Sequence, residues 1–198
     1  LCILAGCMPS KTLLHHADVA MYRVKETGRS AYQFYEPEMT EQAARRLALE
    51  NDLRRGVERG ELRVMFQPQE ALDTGRLEGF EALVRWQRPE RGLVSPAEFI
   101  PVAEKCGEIT RIGEWVLNEA CRQAAAWHAA GLMFERIAVN VSAMQLRERG
   151  FAEQVIAICE RHRWPPHRLE LELTESALIR DSDALRQWFD HRAERWDA

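Results

Sequence analysis

The sequence predicts an α/β protein in which strands and helices alternate from about residue 61 onward. Alternation of apolar and polar residues with a strand period begins at Leu62, and segments with helical periodicity lie between the later strands. Glycine or proline marks the boundaries of most segments. Strands that alternate with helices favour a parallel sheet, either closed as a barrel or open.

Composition and charge narrow the class of protein. Of 198 residues, 46% are hydrophobic, and 27 Lys and Arg oppose 31 Asp and Glu, giving a formal net charge of -4. That balance lacks the basic excess of a protein that binds duplex nucleic acid. The longest uncharged apolar run, Leu1–Met8, is far shorter than the roughly 20 residues of a membrane span, and no charged segment precedes it. We therefore expect a cytoplasmic protein with no membrane segment in this chain.

The cysteines give no sign of a disulfide framework or a zinc site. They are five in number, widely spaced, and without a C-x-x-C pair: Cys2, Cys7, Cys106, Cys121 and Cys159. We expect them to act as small buried hydrophobic residues.

The first 60 residues predict one strand and two helices. Leu1–Met8 is predicted as a short buried strand, and apolar residues at helical spacing predict a helix that ends before Gly28. Residues 31–35 are predicted as a short strand or an extended exit. A second helix begins at Pro37 and ends at Gly60. Because charged residues cover most of its faces, we expect it to connect two domains.

The remaining residues predict a hairpin and then alternating helices and strands. The first two strands run over Leu62–Gln67 and Leu77–Trp86, and their connection is too short for a parallel crossover, so they should pair antiparallel. The turn between them contains Asp73-Thr74-Gly75. Further strands are predicted at Ile137–Val141 and Leu169–Thr174. Helices are predicted at Pro96–Lys105 with a capping box from Ser95 to Glu98, at Thr110–Ala130, at Phe151–Arg163 and at Glu175–Phe189.

Three of these strands carry polar residues where a buried strand would be apolar. Glu81, Asn140 and Glu172 each lie within or near the end of a predicted strand. In α/β barrels such residues line the active site at the carboxyl ends of the strands. Two carboxylates and an amide oxygen that meet there suit Mg²⁺ or Mn²⁺. The spacing alone leaves open that they are salt-bridged or exposed rim residues.

Five sequence motifs follow one another over about 120 residues. They are Phe66-Gln67-Pro68, Glu81-Ala82-Leu83 within Gly79–Trp86, Pro96–Gly107 with Phe99-Ile100-Pro101-Val102-Ala103-Glu104, Val139-Asn140-Val141-Ser142 with Gln145-Leu146, and Glu170-Leu171-Glu172-Leu173-Thr174-Glu175-Ser176. In this order they resemble the motifs of the EAL domain, the family of cyclic-di-GMP phosphodiesterases. The resemblance implies a TIM-like (β/α) barrel that begins with an antiparallel hairpin. The implied reaction is metal-dependent hydrolysis of cyclic-di-GMP to the linear dinucleotide.

The start of the chain resembles a second family. Leu13–Arg29 is similar to the terminal helix of GGDEF domains, the diguanylate cyclases, which often precede EAL domains. We therefore expect residues 1–35 to be the C-terminal part of such a domain and residues 36–60 to be the linker helix. The cyclase signature itself is absent from these residues.

The EAL resemblance assigns roles to individual residues. Glu81, Asn140 and Glu172 would be metal ligands for Mg²⁺ or Mn²⁺, and Glu81 would belong to the catalytic set. Gln67 and Arg85 would contact the dinucleotide, Arg85 through a phosphate. Glu175 would be a catalytic-set residue that holds a loop in place. A homodimer through the EAL domain is a further expectation.

The sequence also departs from the family pattern. Lys105 is the last lysine in the chain, and the D-D-F-G-T-G segment of the family has no counterpart. We therefore expect residues 61–182 to form the N-terminal half of an EAL barrel, with 183–198 outside the family, and this truncated chain to lack phosphodiesterase activity. The alternative is a non-catalytic module that binds cyclic-di-GMP or a protein partner.

Overall fold

The protein is described here by a computed structural model that covers residues 9–27 and 32–173. The chain divides between Asp52 and Leu53 into two units. The predicted strand at Leu1–Met8 and the predicted helix at Glu175–Phe189 lie outside the described residues. Within the covered ranges, no helix combines the length and the hydropathy needed to cross a bilayer.

The first unit contains helix α1 (Ser10–Thr27) and the beginning of helix α2 (Pro37–Glu58). Both helices confirm the predicted segments. Residues 32–36 between the helices form no strand. Of the two predicted possibilities, a short strand or an extended exit, the strand is therefore wrong for the described residues. Tyr35 joins the helices, because its ring stacks on His16 with centroids 3.6 Å apart and its hydroxyl shares a 2.8 Å hydrogen bond with the Thr40 hydroxyl.

The second unit is built on a mixed sheet. Strands β1 (Leu62–Glu70) and β2 (Leu77–Arg88) form the predicted antiparallel hairpin, in which Leu62 lies opposite Trp86. A three-residue strand, β3 (Gly92–Val94), pairs with the end of β2. Strand β4 (Arg136–Val141) is parallel to β2, and β5 (Leu169–Leu173) is parallel to β4. The strand order is therefore β1-β2-β4-β5, with β3 beside β2.

Up to residue 173, where the described residues end, four α-helices accompany the sheet: α3 (Pro96–Cys106), α4 (Glu108–Ala129), α5 (Ala143–Leu146) and α6 (Phe151–His162). The apolar stripe predicted for α4 is buried, with Ile112, Val116 and Ala120 at 5% exposure or less. Trp127 of the same helix contacts the rings of Phe66 and Phe80 at centroid distances of 4.8 and 4.7 Å. The apolar face of the hairpin therefore packs on α4, which leaves its other face for the polar residues.

Two of the described cysteines confirm the expectation of buried thiols. Cys121 of α4 and Cys159 of α6 are both fully buried, whereas Cys106 is partly exposed. A hydrogen bond with Cys159, together with burial, raises the pKa of the Cys121 thiol. Cys2 and Cys7 lie outside the described residues.

Local capping differs from the sequence prediction. The capping box predicted at Ser95 is wrong, because the Ser95 side chain makes no capping hydrogen bond and Pro96 starts the helix instead. A capping box does form at Ser142 and Gln145, at the start of α5. Sequence periodicity missed both β3 and α5, since three or four residues are too few to show a period.

The end of α2 packs closely on the end of β2. A Cβ atom on Gly56 would lie 2.6 Å from the indole nitrogen of Trp86 and 2.9 Å from a carboxylate oxygen of Glu61. Trp86 is fully buried and donates a 3.0 Å hydrogen bond from that nitrogen to Glu61. Because Gly56 has no side chain, α2 can approach the fully buried indole of Trp86 closely.

We predict that Gly56→Ala destabilises the protein. In an open helix this change would add about 0.5–1 kcal/mol of stability, but here the new methyl group overlaps Trp86 and should cost about 1–3 kcal/mol. Urea unfolding measures the difference. Asn51→Ala, at an exposed position of the same helix, is the control and should leave stability unchanged or slightly raised. A Gly56→Ala variant as stable as the parent would contradict the close packing.

Candidate active site

One face of the sheet collects the predicted site residues. Gln67 of β1 lies directly opposite Glu81 of β2, and Glu81 is paired with Ala138 of β4. Asn140 of β4 is paired with Glu172 of β5. Because paired residues on neighbouring strands project to the same side of a sheet, all four polar side chains share one face. The pairing brings together residues that are up to 105 positions apart in the sequence.

Glu81 and Asn140 are in direct contact. The Asn140 side-chain amide donates a hydrogen bond of 2.7 Å to a carboxylate oxygen of Glu81. Glu81 lies in the middle of a 12-residue strand that is paired on both sides, so its backbone is firmly held. Two of the three predicted metal ligands therefore meet at the junction of β2 and β4.

Glu172 lies on the next strand, β5, opposite Asn140. We refer to Glu81, Asn140 and Glu172 together as the acidic group. Partial burial raises the pKa of Glu172, and the negative charges of Glu81 and Glu170 raise it further. The positive charge of Arg136 and a hydrogen bond from the Gln69 amide act in the opposite direction. Repulsion between Glu81 and Glu172 is the electrostatic pattern that a bound divalent cation would relieve.

Arg136 lies on the same face of the sheet, on β4, four residues before Asn140. Its guanidinium is 2.9 Å from a carboxylate oxygen of Glu170 and 3.3 Å from one of Glu78. Gly79 makes room for it, since a Cβ atom there would lie 2.9 Å from the Arg136 side chain. Sequence reasoning gave Arg136 and Gln69 no role. Counting two residues back from Ala138 and two forward from Gln67 would have placed them on the polar face.

Arg85 projects on the same side of β2, beyond Leu83. It is half-buried and donates a 2.8 Å hydrogen bond to the Val84 carbonyl. Directly opposite lies Arg63 of β1, which donates to the carbonyls of Gly60 and Leu62 at 2.7 and 2.6 Å. Two arginines in opposite positions of a hairpin repel each other. Such a pair is suited to binding an anion, and the EAL resemblance implies that Arg85 contacts a phosphate.

A cavity of about 460 Å³ borders the acidic group. Glu81 and Asn140 are among its lining residues, together with apolar residues of α3 and α4 such as Pro96, Ile100 and Ile112. Ser142 and Gln145, which follow Asn140 in the chain, also line it. The cavity therefore adjoins the two contacting ligand candidates.

The side chains of Glu81, Asn140 and Glu172 are chemically suited to a hard divalent cation. In residues 9–27 and 32–173, no three His, Cys, Asp or Glu side chains cluster closely enough to hold a metal ion. The set on the polar face consists of two carboxylates and one amide. These are oxygen donors of the kind that Mg²⁺ and Mn²⁺ bind, and no thiol or imidazole is among them. Glu175, the other predicted catalytic residue, lies outside the described residues.

The family profile described as "EAL domain" matches residues 50–195. The chain belongs to the EAL domain family. The match begins within α2, before the first strand of the hairpin, and extends past residue 182, where the sequence was expected to leave the family.

Relatives and solved structures agree with this assignment. The bifunctional diguanylate cyclase/cyclic di-GMP phosphodiesterase MucR of Pseudomonas aeruginosa is 45% identical over 172 residues, which are 87% of this chain and 25% of that protein. The cyclic di-GMP phosphodiesterase PdeR of Escherichia coli is 37% identical over 174 residues, 88% of this chain and 26% of that protein. This EAL domain chain thus spans about a quarter of each of these relatives.

A solved structure described as the PaMucR phosphodiesterase in complex with c-di-GMP superposes with a TM-score of 0.69 at 42% identity. The superposition covers 74% of this chain and 60% of that one. Xanthomonas citri FimX, also solved with c-di-GMP, has a TM-score of 0.66 at 21% identity and therefore supports the fold alone. The mixed sheet and its helices thus match those of known EAL domains.

We predict a pH-dependent gain in stability for Glu172→Gln in metal-free buffer. The pKa of Glu172 is raised, so its contribution to stability is present below its unfolded-state pKa and is lost as pH rises through the folded-state pKa. The neutral glutamine removes that loss, so the difference between variant and parent should grow as pH rises and vanish in acid. Chemical unfolding at several pH values measures it.

The control for this prediction is Glu148→Gln, an exposed carboxylate in the loop after α5. Its effect on stability should be small at every pH. Equal stability of the Glu172→Gln variant and the parent at neutral pH would contradict the proposed crowding of carboxylates.

Proposed function

We propose that this chain supplies metal ligands and dinucleotide contacts of a cyclic-di-GMP phosphodiesterase. The observation that carries the proposal is the 2.7 Å contact between Asn140 and Glu81, with Glu172 on the same face of the sheet. These residues stand at the positions of the EAL motifs, in a chain that belongs to that family. The names of two relatives, MucR and PdeR, point to the same activity.

Glu81, Asn140 and Glu172 would hold Mg²⁺ or Mn²⁺ through carboxylate and amide oxygens. When bound, such a cation polarises a phosphodiester and lowers the pKa of a coordinated water. The two carboxylates supply negative charge to bind it, and the fixed strands keep their spacing. Glu175 would serve to hold a loop of the intact catalytic site.

Arg85 and Gln67 would bind the substrate beside this cluster. The Arg85 guanidinium can pair with a phosphate through two parallel hydrogen bonds. Gln67 is exposed on β1 opposite Glu81, so its amide is free of the core and available to the dinucleotide. Arg85 would in this way hold a phosphate of the dinucleotide on the polar face.

For the domain division we propose the boundaries that the sequence predicts. We propose that residues 1–35 are the end of a GGDEF domain, that 36–60 are the linker and that the barrel begins at 61. The 172 residues shared with MucR are more than the segment 50–195 contains, so the similarity reaches into the residues before 50. MucR is itself named as both a cyclase and a phosphodiesterase.

We further propose that these 198 residues form an incomplete TIM-like barrel and do not hydrolyse cyclic-di-GMP by themselves. The sequence has no lysine after Lys105 and no D-D-F-G-T-G segment. A phosphodiesterase assay of the purified chain with Mn²⁺ tests the inactivity, and measurable product would overturn it.

We also propose a homodimer through the EAL domain and a cytoplasmic location.

Calorimetric titration with cyclic-di-GMP, with and without Mg²⁺, separates this proposal from the alternative of a non-catalytic module. Binding that requires the metal supports descent from the phosphodiesterase site. Binding that is equal without metal supports a binding module, and no binding in either condition contradicts a dinucleotide site in this chain.

We predict that Glu81→Gln weakens Mn²⁺ binding about tenfold or more, because a neutral amide replaces a carboxylate in the donor set. Titration followed by the electron paramagnetic resonance signal of free Mn²⁺ measures the affinity. Glu148→Gln makes the same chemical change at an exposed position and should bind Mn²⁺ as the parent does. Equal affinity of the two variants would remove Glu81 from the metal site.

We predict that Arg85→Gln weakens cyclic-di-GMP binding about tenfold or more, since a charged hydrogen bond to phosphate contributes roughly 1.5–3 kcal/mol. Calorimetry in the presence of Mg²⁺ measures the loss. Arg149→Gln, on an exposed loop, is the matched control. Unchanged binding by Arg85→Gln would show that the phosphate lies elsewhere.

A further inference from the structure

The chain turns immediately after Asn140 through a buried capping box. The Ser142 hydroxyl accepts a 3.4 Å hydrogen bond from the backbone N–H of Gln145, and the Gln145 side-chain oxygen accepts a 3.2 Å hydrogen bond from the backbone N–H of Ser142. Ser142 is 7% exposed and Gln145 only 2%. A polar side chain as buried as Gln145 is held in one orientation by its hydrogen bonds and its neighbours.

Gly113 of α4 fixes the other side of the Gln145 amide. All three nearest atoms that a Cβ on Gly113 would meet belong to that amide, and the overlap with its nitrogen is too close for any side chain. Gly113 is buried in the helix interior, where glycine lowers helix stability relative to alanine. The close approach of the amide is a physical reason for glycine at this position.

Asn140 is held by strand pairing on one side only, unlike Glu81, which is paired on both sides. The pairing between β2 and β4 ends at Ala82 and Val139, so Asn140 lies one residue beyond it and is paired only with β5. Its side chain nevertheless reaches back to Glu81 at 2.7 Å. Two residues later the chain enters the capping box, which therefore sets the direction in which β4 ends.

We propose that Gln145 and Gly113 are positioning residues for Asn140. Gln145 ties the first residue of the turn to α5, and Gly113 lets the Gln145 amide lie against α4. Together they hold the end of β4 so that the Asn140 amide faces Glu81. The relevance to metal binding rests on the proposed function, whereas the positioning itself is a property of the fold.

The test uses the 198-residue chain without metal or dinucleotide. Crystal structures and ¹⁵N NMR of the side-chain amides compare the parent with Gly113→Ala and Gln145→Leu. We expect both variants to lose the Asn140–Glu81 hydrogen bond and to shift the Asn140 amide signals. Gln154→Leu, the same change at a half-buried position of α6, should leave those signals in place. Retention of the 2.7 Å contact in either folded variant would overturn the proposal.

Gln145→Asn provides a milder variant in case the first two do not fold. Its shorter side chain loses the hydrogen bond to the Ser142 backbone N–H and should shift the Asn140 amide signals while leaving the chain folded. Unchanged Asn140 signals in Gln145→Asn would also overturn the proposal. A Mn²⁺ titration of the parent tests the proposed function separately, so failure of metal binding and failure of positioning give different results.

Discussion

The parallel pairing of β2 with β4 is the contact on which the site depends. It joins a hairpin strand to a strand some fifty residues later and places Glu81 next to Ala138, within reach of Asn140. Gly79 permits this pairing, because a side chain there would overlap the carbonyl and the side chain of Arg136. A shift of one residue would turn Glu81 to the apolar face and destroy the acidic group.

The two faces of the hairpin differ in chemistry: one is apolar and packed on α4, and the other is polar. Phe66 and Phe80 pack on Trp127 of α4 and contribute burial energy, whereas Gln67, Glu81 and Arg85 project from the other side. A site on strands that are fixed by a packed core keeps its geometry better than one on loops. The same alternation thus provides both the rigid support and the reactive surface.

The polar face is electrostatically unfavourable by itself. Glu172 is crowded by Glu81 and Glu170, and Arg63 lies opposite Arg85 on the neighbouring strand. Like charges in such positions lower stability. The proposed function accounts for this arrangement, since a cation would compensate the carboxylates and a phosphate would compensate the arginines.

Periodicity in the sequence was enough to predict most of the elements. Strand and helix periods located the hairpin, α4, β4, α6 and β5 within a few residues, because those segments are long enough to bury one face. Polar residues within apolar strands also made Glu81, Asn140 and Glu172 candidate site residues, and the EAL resemblance made them candidate metal ligands.

How these elements meet depends on contacts between distant parts of the chain. The strand order, the Asn140–Glu81 contact and the roles of Gln69 and Arg136 depend on the register between strands far apart in sequence. The capping box formed at Ser142 and not at Ser95, although both serines precede a glutamate or glutamine by three residues. These features cannot be predicted from local sequence patterns, because they result from packing against helices such as α4. Gly113 of α4, for example, accommodates the Gln145 amide.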